Sequence, residues 1–122
     1  MIGSTRNLRV WAYPAPADLR RGYDGLSALV ISQLQQDPLC GDCFVFLNRT
    51  RTRAKVLLWD GTGLCIYQKR LERGRFACLW RRGGETIELT MSELSLFLEG
   101  CQWVETISLS PQRFIPQAAG AT

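Results

Sequence analysis

Residues 43–71, CFVFLNRTRTRAKVLLWDGTGLCIYQKRL, decide the fold by the way apolar runs and turn residues alternate along them. Cys43 to Asn48, Ala54 to Trp59 and Leu64 to Leu71 are short runs rich in aromatic and branched residues, which suit a pleated, half-buried backbone. Asp60-Gly61-Thr62-Gly63 separates the second from the third with residues that favour tight turns. Strands joined by such short connections pair antiparallel.

Downstream, Glu72-Arg73-Gly74-Arg75 reads as another turn, and Phe76 to Trp80 and Thr86 to Leu89 read as two further strands. Thr90-Met91-Ser92-Glu93 matches a capping box, in which the threonine hydroxyl and the glutamate each satisfy a free amide at a helix start. Leu94, Phe97 and Leu98 then form an apolar face, and Gly100 is a terminator.

Upstream, Asp37-Pro38 stops a helix and Gly41-Asp42 marks a turn. Tyr23, Leu26, Val30 and Leu34 recur at spacings of three and four, with Leu19 and Leu29 beside them. That stripe predicts a helix from an N-cap at Asp18 to about Gln36. Gly22 and Gly25 weaken it by about 1 kcal/mol each relative to alanine, which points to close packing there. Leu8 to Tyr13 reads as a first strand, ended by Pro14. The expectation is an α+β single domain over residues 1–110, an antiparallel sheet of about five or six strands covered by two helices, followed by a flexible tail over 111–122.

The chain of 122 residues is 46% hydrophobic and long enough for one core. Its first residues lack a secretory apolar stretch, and no apolar run approaches the roughly 20 residues that span a bilayer. These features point to the cytoplasm and away from a membrane. Five cysteines, an odd number, then read as small buried hydrophobes. Cys40-Gly41-Asp42-Cys43 is a CxxC, but a zinc site needs four ligands and no histidine exists to complete one. A redox role would place the first cysteine at a helix N-terminus. Packing is the favoured reading, with zinc and redox as alternatives.

Absence of histidine also removes the commonest general base. A divalent-metal nuclease would need converging acids, and Asp18, Asp24, Asp42 and Asp60 do not match a recognised spacing. No enzyme, cofactor, metal or small-molecule substrate is therefore expected.

The net charge of +4 is unevenly spread: residues 49–82 carry ten basic and two acidic residues. Arg49, Arg51, Arg53 and Lys55 fall at every second position, so an extended backbone would present all four on one face. Lys69, Arg70, Arg73 and Arg75 form a second cluster. Such clusters can grip phosphates or a groove of a duplex, can bind a protein partner, or can be solvated sheet edges.

The segments Asp18-Leu19-Arg20-Arg21-Gly22-Tyr23-Asp24-Gly25-Leu26, Trp59-Asp60-Gly61-Thr62-Gly63 and Lys69-Arg70-Leu71-Glu72-Arg73-Gly74-Arg75-Phe76 resemble the second open reading frame (TnpB-type) of insertion sequence 66 elements. The likeness runs over about residues 8–103, closing on Leu98-Glu99-Gly100 and Trp103. It implies a non-catalytic accessory protein of DNA transposition, with the transposase of the same element as partner and DNA as a second partner. It also marks Asp18, Arg20, Arg21, Gly22, Tyr23, Asp24, Gly25, Trp59 and Asp60 as a family motif without an assigned role.

Overall fold

The structure, a computed structural model, describes residues 8–81 and 83–100. Five strands, β1 (Val10–Ala12), β2 (Cys43–Leu47), β3 (Arg53–Trp59), β4 (Leu64–Arg70) and β5 (Ile87–Leu89), form one open sheet in the order β4-β3-β2-β1-β5. Helix α1 (Tyr23–Leu29) runs on into a π-helical turn at Val30–Leu34, and α2 (Met91–Glu99) follows β5. The expected α+β class, strand number and two helices are all present. The expected 111–122 tail, Cys101 and Trp103 lie outside the described residues.

Strand β2 sets the layering. Every residue of Cys43–Leu47 is buried, because alternate side chains enter opposite cores. Cys43, Val45 and Leu47 join Ala54, Val56, Leu94 and Phe97 on the α2 side. Phe44 and Phe46 join Leu57, Leu26 and Val30 on the α1 side. Each large aliphatic or aromatic side chain so buried contributes about 1.5–3 kcal/mol relative to exposure. An edge strand could not serve both cores.

One ladder departs from the expected antiparallel order. Strand β1 pairs parallel with β2, Val10 opposite Cys43 and Ala12 opposite Val45, whereas β1–β5, β2–β3 and β3–β4 are antiparallel. The chain crosses from β1 to β2 by way of α1, and a helical crossover returns a strand parallel to its start. No turn residues announce such a pairing.

Phe76 to Trp80 also differs from the expected strand, making only an isolated bridge at Cys78. Phe76, Ala77 and Leu79 are all buried and form an irregular strap over the α2-side core. Phe76 stacks on Phe97 with centroids 5.0 Å apart. Two neighbours buried in succession break the alternation that a one-sided strand requires.

Helix α1 begins later than expected. Asp18 does not cap it; its carboxylate accepts instead from the Arg20 amide at 3.0 Å and the Arg20 guanidinium at 2.8 Å. Gly22 is the N-cap, with Leu26 N donating to its carbonyl at 2.9 Å. A Cβ at Gly25 would lie 2.9 Å from Arg21 Cβ, so the close packing foreseen there comes from the chain's own preceding turn. Tyr23, expected in the buried stripe, is 52% exposed. The helix ends at Gln35, whose φ of 53° is left-handed, just before Asp37-Pro38.

The capping box at α2 is formed in full: Glu93 N donates to Thr90 Oγ1 at 3.0 Å and Thr90 N to Glu93 Oε1 at 2.8 Å. Thr90→Ala removes one of these acceptors and is expected to lower unfolding free energy by about 1 kcal/mol, checked by urea denaturation. A change within error would show that the box is dispensable.

Candidate functional site

The β3–β4 connection fixes which cations meet. Asp60 Oδ1 accepts from Thr62 N at 2.8 Å, Thr62 Oγ1 at 3.0 Å and Gly63 N at 3.0 Å, while Gly61 takes φ +106°. These bonds, the Thr62 amide foremost, hold the Asp60 carboxyl at about 2. Trp59 therefore faces Leu64, and six rungs on, Arg53 faces Arg70. Asp60 and Trp59 thus build the hairpin, at the end of β3 remote from Arg53.

The β2–β3 turn is built by Asn48. Its Oδ1 accepts from Thr52 N at 2.9 Å and Arg53 N at 3.1 Å, and Arg51 N donates to its carbonyl at 3.0 Å. The regular presentation expected of Arg49, Arg51, Arg53 and Lys55 is lost here, because the chain must reverse between Leu47 and Ala54, which are paired. Arg49 lies in the turn, Arg51 takes a left-handed φ of 62°, and only Arg53 and Lys55 keep strand alternation.

This turn is laced to the second cluster by two backbone hydrogen bonds. Leu71 N donates to Thr52 O at 2.8 Å and Phe76 N to Arg51 O at 2.7 Å. One end of the sheet therefore carries Arg49, Arg51, Arg53, Arg70, Arg73 and Arg75. Arg49, Arg53, Arg73 and Arg75 are exposed and make no ion pair among the described residues. Arg70 pairs with Glu72 at 3.2 Å, both side chains well exposed.

Lys69 is placed elsewhere. Strand parity points it to the α2 face, where its Nζ donates to the Leu98 carbonyl at 2.7 Å and closes the end of α2. Lys55 points to the α1 face and donates from Nζ to the Arg21 carbonyl at 2.9 Å. Lys55 thereby ties the 18–25 motif to the sheet.

Between that motif and the sheet lies an open groove of about 420 Å³, lined by Leu19, Arg53, Lys55, Gln68, Arg70 and Glu72. In the sequence Leu19 reads as part of a helix stripe and Glu72 as part of a turn, neither as a groove residue, and Gln68 carries no signal of its own; counting register outward from Asp60–Gly63 would have found Gln68, opposite Lys55. Arg20 and Asp18 form an exposed pair at the rim of the motif, and hydrogen bonding from Arg20 holds the Asp18 carboxyl well below the usual range. Arg21, Tyr23 and Asp24 are exposed.

The other chemical candidates do not converge. Asp42 accepts from Trp11 Nε1 at 3.2 Å. Cys43 packs in the α2-side core and Cys40 against the α1-side core, and burial pushes both thiols up. Among the described residues no group of three or more histidine, cysteine, aspartate or glutamate side chains is placed to hold a metal ion. No helix of the described residues is long and apolar enough to cross a membrane.

The IS66 Orf2-like protein family matches residues 8–107, and the chain belongs to that family, which makes it a transposition-associated accessory protein. Two similar proteins are from Sinorhizobium fredii. The uncharacterized protein y4jC is 41% identical over 103 residues, covering 84% of this chain and 87% of its own. The uncharacterized protein y4hO is 39% identical over 103 residues, covering 84% and 89%. No solved structure matches the chain.

Two measurements test the structural assignments. Lys69→Met is expected to cost about 1 kcal/mol, since a charged donor leaves the Leu98 carbonyl, while Arg70→Met stays within about 0.5 kcal/mol. Equal losses in urea denaturation would contradict the separate roles. Asp60, with its folded value near 2 against 3.8 unperturbed, supports the fold fully above about pH 4 and loses that support as pH falls towards 2. Asp60→Asn should flatten this part of the acid denaturation curve; an unchanged curve refutes the turn's contribution.

Proposed function

We propose that this chain is a non-catalytic, cytoplasmic accessory factor for transposition of an insertion-sequence-66 type element. In this reading it binds DNA through the arginine end of the sheet and acts beside the element's transposase. The carrying observation is the lacing of the two arginine clusters at Thr52–Leu71 and Arg51–Phe76, with four exposed arginines that no carboxylate neutralises among the described residues.

Concentrating like charge at one end is unfavourable for a protein alone, and a polyanion relieves it. Phosphates suit the arrangement because the arginine fork pairs with two oxygens at once and releases condensed counterions. Arg49, Arg53, Arg73 and Arg75, in turns or at a strand end, are exposed and so accessible to a duplex backbone. A catalytic role finds little support, since histidine is absent and Asp18 and Asp60 are engaged in turns.

Titrating a labelled duplex at several salt concentrations tests the reading. Replacing Arg49, Arg53, Arg73 and Arg75 together by alanine is expected to flatten the slope of log affinity against log salt by up to about 3–4 units, roughly 0.9 for each lost phosphate contact. Stability should change by less than about 1 kcal/mol. Superimposable curves would sink the DNA role; loss of transposase co-purification with unaltered DNA curves would favour a purely protein-binding assembly factor.

A further inference from the structure

The groove beneath the motif loop has features that the general cationic surface lacks. Arg53 and Arg70 stand directly opposite on neighbouring antiparallel strands, and Lys55 follows two residues along on the same face. Like charges directly opposite in a ladder are destabilising. Only one anion answers them within the groove, the Glu72 carboxylate, which pairs with Arg70 at 3.2 Å and leaves Arg53 without an ion pair among the described residues. Lys55 is held in place by the Arg21 carbonyl at 2.9 Å, so its ammonium is a fixed rather than a swinging charge.

We infer that this groove is a phosphate subsite for one nucleotide unit of bound nucleic acid, and that Glu72 is its intramolecular competitor. The inference rests on the DNA-binding reading above and names the element that sets its affinity. An incoming phosphate takes the position between Arg53 and Arg70 and displaces the Glu72 carboxylate from the guanidinium. Lys55 supplies a third positive charge, and the Gln68 amide, opposite Lys55 in the ladder, can donate or accept towards the sugar or base. The volume, about 420 Å³, lies in the range of small-molecule clefts and exceeds what a bare phosphate fills. Leu19 offers an apolar wall on the motif side.

Because Glu72 and Arg70 are both well exposed, the pair is weak and Glu72 tunes rather than blocks. Removing it has a distinctive signature: binding improves. Glu72→Gln keeps size and hydrogen-bonding capacity, frees Arg70, and is expected to tighten duplex binding about two- to fivefold at low salt. The salt dependence should steepen by about one unit, as one further cation releases a counterion.

The deciding experiment follows the Arg53 Nε–H and the Gln68 side-chain amide by nuclear magnetic resonance. The full-length parent, Glu72→Gln and Arg53→Ala are titrated with a short duplex and, separately, with inorganic phosphate. Support consists of groove resonances that move with the duplex, tighter binding by Glu72→Gln and weaker binding by Arg53→Ala. If Arg73 and Arg75 signals respond to duplex while the groove signals stay still, or if Glu72→Gln binds no better, the subsite is overturned and the DNA-binding reading stands. If no signal responds to duplex, both fall. A groove that responds to phosphate but not to duplex overturns the nucleic-acid occupant.

Discussion

Strand β2 has no solvent face, and the rest of the molecule is arranged by that fact. Five consecutive buried residues demand a covering layer on each side and a strand at each edge. Helix α1 with its π-helical continuation meets one demand; α2 and the Phe76–Leu79 strap meet the other. The parallel pairing of β1 follows as well, since the chain reaches β2 only after laying α1 across the sheet. A solvated residue at Phe44 or Val45 would open one core without affecting the polarity of any loop.

Charge is organised by the same sheet but on a different principle. Apolar residues fill β2 and most of β3, Arg49, Arg51, Arg73 and Arg75 lie in the connections, and Arg53 and Arg70 stand at the adjoining strand ends. The backbone bonds between Thr52 and Leu71 and between Arg51 and Phe76 then gather the two connections at one place. Within that end, strand parity sorts neighbours in sequence to separate tasks. Lys69 finishes a helix on one face, while Arg70 stands beside Arg53 on the other.

What could be read without coordinates was mostly local. The Asp60–Gly63 turn and the Thr90–Glu93 box are recognisable because each consists of side chains bonding to amides two or three residues away. The α+β class followed from these and the three apolar runs between residues 43 and 71. The partner of β1 was hidden because no turn links it to β2. Phe76–Trp80 looked like a strand because burial and extension share a composition. Asp18 looked like a helix cap because nothing in sequence says that Arg20 will claim its carboxylate first. For the site, residue types were legible but their presentation was not: the Arg49–Lys55 alternation is interrupted by a chain reversal, and Lys69 differs from Arg70 only through register.

The placement of the arginines at the strand ends has a mechanical consequence. On the DNA-binding reading proposed above, a pull from the bound duplex enters through Arg53 and Arg70 and the turns beside them, along the axes of β3 and β4. Antiparallel hydrogen bonds run across the strands, so a load that draws β3 lengthwise against β2 and β4 is borne by every rung of the β2–β3 and β3–β4 ladders together. A load applied sideways to edge strand β4 would instead peel the rungs one after another. A lengthwise load on β3 thus meets a stiffer ladder than a sideways load on β4.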